Sequence, residues 1–227
     1  MRKDLCIMSL FNKIKKTVLN AAIVDLRNYS PEALNKVGVI NAAAVILPEN
    51  PTNEYMEAYS NIRVKNMATE ISVSATQKIY SISGMTELNE NNIDYDAIYM
   101  ISGVTLIKKL NNERPVNVIA SGIVIYDKFS NINFIQKSGM STEIDFEYDK
   151  AKSFSKDANI DNRFIELIDN AVIVAGKDIY FDNDVTEEAL MSRNIHFVAG
   201  KNIICNNKIK SAVQIKSTVG IKYVFNE

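Results

Sequence analysis

The chain of 227 residues contains no tryptophan, one histidine, two cysteines, four prolines and eight glycines, and its formal charge is −1. Each scarcity excludes something. Without tryptophan, a sugar site has no indole platform to stack on. With His196 the one histidine, any Ser-His or Cys-His nucleophile pair has to use it. Cys6 and Cys205 stand near opposite ends in apolar neighbourhoods, which argues for reduced, buried thiols and against a disulfide framework. The near-zero charge supplies no global field toward nucleic acid or an anionic membrane. The arginines are scattered at 2, 27, 63, 114, 163 and 193, so bidentate phosphate recognition has little to work with. No apolar run reaches the roughly 18 residues of a membrane span. No Gly-x-Gly-x-x-Gly or Walker-type loop is present, and the expectation is a soluble, cytoplasmic, cofactor-free protein.

What is present is periodicity. A Ser-Gly step recurs in apolar surroundings at Ser83-Gly84, Ser102-Gly103, Ser121-Gly122 and Ser138-Gly139. Tyr80 and Tyr99 both stand four before their glycines, while Leu88 and Ile107 stand four after. A repeat near 20 residues is one layer that buries its apolar side by stacking on its neighbours. Glycine at the same place in each layer predicts a repeated corner, either through positive φ or through close approach between coils. The flanking Ile, Val, Tyr and Thr favour strands. The expected fold is therefore a mainly-β, right-handed β-solenoid with coils of about 19–24 residues.

The chain reads as one elongated repeat domain over 1–227. Leu5, Met8, Phe11, Ile14 and Val18 fall on one helical stripe with Lys13, Lys15 and Lys16 mostly off it, so residues 1–20 read as an amphipathic helix capping the first coil. Residues 21–75 carry helix–strand coils: Ser30-Pro31-Glu32 and Asn50-Pro51-Thr52 each open a short helix, followed by strand-like runs at Val37–Leu47 and Ile62–Val73. Strand coils occupy 79–149. Residues 150–163 are polar and read as an excursion from the stack. Helix–strand coils return at 164–227, where Val174-Ala175-Gly176-Lys177 matches Val198-Ala199-Gly200-Lys201, and Asp184 with Glu187 resembles a capping box.

The chemistry-bearing candidates are few. His196 stands four before Gly200, where Tyr80, Tyr99, Val118, Ile135 and Val172 stand in their own coils, so it reads as a layer residue. Asp182, Asp184, Glu187 and Glu188 lack the glycine and closing Glu of a calcium loop, so no metal is expected. Asp145, Glu147 and Asp149 alternate with apolar residues and predict a strand with one acidic face. Such a face could serve a carbohydrate-binding or carbohydrate-cleaving β-helix. The final strand, with Val219, Ile221, Tyr223 and Phe225, has no obvious cap and offers an edge for pairing with itself or another protein.

The repeat style over residues 79–225 resembles the bactofilin-like β-solenoid proteins of bacteria. That resemblance implies a nucleotide-free, non-enzymatic cytoplasmic scaffold that associates end to end. The helical segments and the N-terminal cap depart from the pattern and weigh against open-ended polymerisation.

Overall fold

The computed structural model describes residues 16–227 except Asn112 and Phe146. Most of the N-terminal cap helix expected at 1–20 lies outside the described residues. Its last part is a strand instead: β1 (Thr17–Asn20) pairs parallel with β3 (Val37–Pro48). The fold is a mainly-β solenoid of parallel strands, and its contacts divide it into a unit ending at Gln77 and a unit from Lys78 to Glu227. The division falls where the sequence changes from helix–strand coils to strand coils.

In the first unit β1 and β2 (Ile23–Asp25) lie on one edge of β3, and β4 (Val64–Val73) lies on the other. Short helices return the chain: α1 (Pro31–Leu34) is capped by Ser30, and α2 (Asn53–Ser60) by Thr52 rather than by Asn50. Thr52 wins because its Oγ1 accepts from the Tyr55 amide at 3.2 Å. Asn41 donates to Asn20 at 2.5 Å, and Asn66 donates to Asn41 at 2.7 Å. This asparagine ladder was not anticipated, although its spacings of 21 and 25 residues are those of a coil.

The second unit holds two stacks. In the first, each coil is a strand, a Ser-Gly corner and a second strand: β5 (Lys78–Ile82) with β6 (Met85–Leu88), β7 (Ala97–Ile101) with β8 (Val104–Ile107), β9 (Val116–Ala120) with β10 (Ile123–Asp127), and β11 (Ile132–Lys137) with β12 (Met140–Ile144). These form the ladders β5-β7-β9-β11 and β6-β8-β10-β12. In the second stack the pairs are β13 (Lys150–Phe154) with β14 (Ala158–Ile160), β15 (Ala171–Ala175) with β16 (Ile179–Phe181), β17 (Ile195–Ala199) with β18 (Asn202–Asn206), and β19 (Ser217–Val219) with β20 (Lys222–Asn226). Its return sides are helical, at α3 (Asn162–Glu166), α4 (Glu187–Met191) and α5 (Lys210–Ile215). Thr186 caps α4, whereas Asp184 accepts from the Asn162 amide across the stack.

Why Ser-Gly recurs is now physical. Among the described residues no glycine has positive φ, so the backbone angle is not the reason. The reason is close approach. A Cβ on Gly103 would stand 2.2 Å from the Gly84 carbonyl oxygen, one on Gly122 2.0 Å from that of Gly103, and one on Gly139 2.0 Å from that of Gly122. The same carbonyls take hydrogen bonds from the next coil, with Val104 donating to Gly84 at 3.0 Å and Ile123 to Gly103 at 2.8 Å. Serine adds a third donor to the carbonyl one step back: Ile82 O accepts from the Ser102 amide, the Gly103 amide and the Ser102 hydroxyl. In the last coil the register slips, because Phe134 and not Ile135 stands opposite Val118 and a bulge pushes Ile135 outward.

The break in the repeat lies at 145–149, ahead of where polarity suggested. Residues 150–160 supply the strands of the second stack's first coil. Their exposed lysines look loop-like because an outermost coil buries one edge only. The chain leaves β12 at Ile144, and the connector passes Lys128 at Asp145 and Lys108 at Tyr148 before β13 begins. It therefore runs back along the first stack, so the second starts beside the first coil. The two stacks share a seam, where Leu106, Ile125 and Ile144 of one meet Val172, Val174 and Val198 of the other. That explains the uninterrupted Ala-Val-Ile-Val-Ala of β15: Ala171, Ile173 and Ala175 face their own stack's core and the two valines face the seam.

One defect is visible in the first stack. The Thr105 side chain is fully buried and its hydroxyl has no partner among the described residues. Replacing it by the near-isosteric valine removes that unmet group. Thr105→Val is expected to stabilise the unit by about 1 kcal/mol, seen as a higher urea midpoint with an unchanged slope.

Candidate functional site

The three carboxylates expected on one strand face sit on the connector, where no strand forms. Asp145 pairs with Lys128 at 3.7 Å. Glu147 and Asp149 line a cleft of about 370 Å³ between the connector and the return corners of the first stack. Asn89 and Glu90, just after β6, form one wall; Lys108 and Lys109, just after β8, form another; Asp127 closes it at the end of β10. Alternation of polar and apolar residues runs from the end of β12 into the connector: in the strand Glu143 is exposed and Ile144 buried, and beyond it Tyr148 is buried while Asp145, Glu147 and Asp149 are exposed.

Tyr148 is the anchor of the connector. Its ring is 6% exposed, and the Lys108 ammonium stands 5.1 Å from the ring centroid. Lys108 also reaches Glu87 at 3.3 Å. Burial, with the Glu87 and Asp127 carboxylates nearby, holds the Tyr148 phenol well above its ordinary pKa, so it stays protonated. Its hydroxyl is buried and has no partner among the described residues. Glu90 is occupied by the Tyr95 hydroxyl at 3.0 Å, and Asp127 by the Phe129 amide at 2.8 Å.

Val219, Tyr223 and Phe225 turn inward and pack against the core of the second stack, while Ile221 is 66% exposed. The four residues therefore do not form one apolar edge. Ile221 is the outward one, and the Tyr223 hydroxyl donates to Ser217 O at 3.0 Å to brace the last corner. Among the described residues β19 and β20 are paired on one side only, to β17 and β18.

His196 is a layer residue, opposite Val172 in the ladder. Its Nε2 lies 3.0 Å from Thr218 Oγ1, and Thr218 Oγ1 lies 2.7 Å from Thr142 Oγ1 across the seam. Among the described residues no serine or cysteine hydrogen-bonds to it; its side-chain partner is the Thr218 hydroxyl. Cys205 is buried and, among the described residues, unpaired, and burial pushes its thiol up to about 11, far from a reactive thiolate. Among the described residues no group of three His, Cys, Asp or Glu is placed to hold a metal ion, and no helix is long and apolar enough to cross a membrane. Comparison with models of protein families, with curated proteins and with solved structures finds no match, and so identifies no bactofilin-like or other family.

Proposed function

We propose that the chain is a non-enzymatic scaffold that associates with a second copy of itself through the last coil of its second stack. The observation that carries this reading is that, among the described residues, β19 and β20 are paired on one side only, beside the exposed Ile221. Unpaired strand edges present a row of N–H and C=O groups to any chain that can add to them. Two other open edges of this unit's stacks are guarded. β13 begins the second stack with exposed Lys150 and Lys152, and β11 ends the first with a bulge and Lys137. Lysines and bulges are the usual means of blunting an edge. One adhesive end closes on itself about a two-fold axis, so the assembly is a dimer and not a filament. The resemblance of the repeat style to bactofilin-like proteins agrees with a scaffold role, and Cys205, buried and unpaired among the described residues, suits a reducing, cytoplasmic setting.

A carbohydrate site on Asp145, Glu147 and Asp149 has less support. Asp145 is tied to Lys128, and Tyr148, the one aromatic residue lining the cleft among the described residues, has Lys108 over its ring, so that face is not open to a sugar. Removing residues 219–227 would strip Tyr223 and Phe225 from the core, so a point change tests the proposal more cleanly. Ile221→Lys places a charge at the exposed position only. It is expected to return the protein to a monomer in sedimentation velocity with an unchanged circular dichroism spectrum. A dimer that survives the change would refute the assignment to this edge.

A further inference from the structure

The cleft beneath the connector has a property that the scaffold reading leaves unused. Its lining is Glu90, Asp127, Glu147 and Asp149 against Lys108 and Lys109, together with neutral groups, which leaves an excess of two negative charges. The engaged groups are accounted for: Lys108 by Glu87, Glu90 by Tyr95, and Asp127 in part by the Phe129 amide. Among the described residues the Asp149 carboxylate takes only a long contact of 3.4 Å from Asn170. Among the described residues the Glu147 carboxylate has no partner, and Lys109 meets only the Phe129 ring, 5.5 Å away. One free anion and one free cation thus border the same space. Tyr148 lines the cleft as well, and its hydroxyl is buried without a partner among the described residues. A buried polar group without a partner costs stability, and a water or a ligand atom beside it would meet that need.

We propose that this cleft binds a small amino acid-like ligand, its ammonium group held by Glu147 and Asp149 and its carboxylate by Lys109, with the Tyr148 hydroxyl completing the site. The chemistry follows from the donors. An ammonium carries three N–H groups and suits a cluster of carboxylate oxygens, while a carboxylate suits a lysine. Because the lining is net negative, ligands with an additional cationic side chain, such as arginine or lysine, bind better than acidic ones. The volume is at the small end of the range for ligand pockets, as a single amino acid requires. The Tyr148 phenol is neutral at physiological pH, since burial and, after it, the Glu87 and Asp127 carboxylates oppose its ionisation, so it keeps a proton to donate. The site is independent of the β19–β20 edge, so it stands or falls apart from dimerisation.

The test is titration of the full-length protein with free L-arginine, L-lysine, L-glutamate and glucose, followed by calorimetry and by the amide resonances of residues 145–150. Saturable binding of arginine or lysine, with glutamate weaker, is the expected result. Glu147→Gln, an exposed change that leaves packing alone, is expected to weaken arginine binding about tenfold. Tyr148→Phe keeps the ring under Lys108 and is expected to weaken it several-fold, with the thermal midpoint recorded to show that the fold is intact. Absence of saturable binding by any amino acid, preference for glucose, or arginine binding unaffected by Glu147→Gln would each overturn the proposal.

Discussion

Gly122→Ala is expected to destabilise the second unit by about 3 kcal/mol or more, whereas Gly84→Ala is expected to change its stability by less than about 0.5 kcal/mol. The two residues occupy the same corner of the same repeat, and sequence alone gives no ground to separate them. Their surroundings differ completely. The Cβ of an alanine at 122 would lie 2.0 Å from the Gly103 carbonyl oxygen and 2.7 Å from the Ser102 carbonyl carbon, both backbone atoms that cannot swing aside. To admit it, one coil must lift off the next, breaking the shared bonds from the Ser121 and Gly122 amides to Ile101 O. At Gly84 an added Cβ meets nothing within 4 Å, because no coil of this stack precedes it. Gly103→Ala should behave like Gly122→Ala, at 2.2 Å from the Gly84 oxygen. Thermal unfolding of the three variants measures this directly. For a chain of this size, 3 kcal/mol corresponds to a fall of roughly 6–12 °C.

The second large effect is on acid stability. Burial in the seam lowers the pKa of His196 to about 4; Asp145 opposes that shift and Lys216 adds to it. The folded state therefore holds the neutral ring and binds the proton less tightly than the unfolded chain, whose imidazole titrates near 6.5. The stabilisation is complete above about pH 6.5 and is lost as the pH falls toward 4. A shift of that size corresponds to about 3 kcal/mol, and about 2 kcal/mol once the ring's partial access to solvent is allowed for. The carboxylates held low by their partners, Asp25 and Asp94 among them, lose their contribution only at lower pH, so the window from 6.5 to 5 belongs to the histidine. His196→Gln can keep the hydrogen bond to Thr218 and cannot titrate. Its urea midpoint should be flat across that window, where the wild-type midpoint declines as the solution is acidified.

How much of this was legible beforehand depends on distance along the chain. The solenoid was legible because each coil repeats its corner, and the parallel pairing of Tyr80 with Tyr99 and of Val172 with His196 follows the spacing of the glycines. The φ explanation for those glycines failed because close approach in the neighbouring coil, a contact 19 residues away, sets the constraint. The second stack was half-visible. The helix caps and the Val-Ala-Gly-Lys match marked its coils, while its first coil passed for a loop because Lys150 and Lys152 are exposed at the edge. The seam was hidden altogether, since Leu106 and Val174 are far apart in sequence and both look like ordinary core residues. Its trace was the unbroken apolar run of β15. The cleft was half-found for the same reason: Glu147 and Asp149 lie on one segment, but Lys108 and Asp127 arrive from separate coils.

The measurement that bears most directly on the scaffold reading is the mass of the intact protein in solution, taken by light scattering over a concentration series. A mass that climbs from 25.5 kDa and levels off at twice that value is the predicted outcome. A mass that stays at 25.5 kDa at every concentration, or one that grows without levelling, would contradict it.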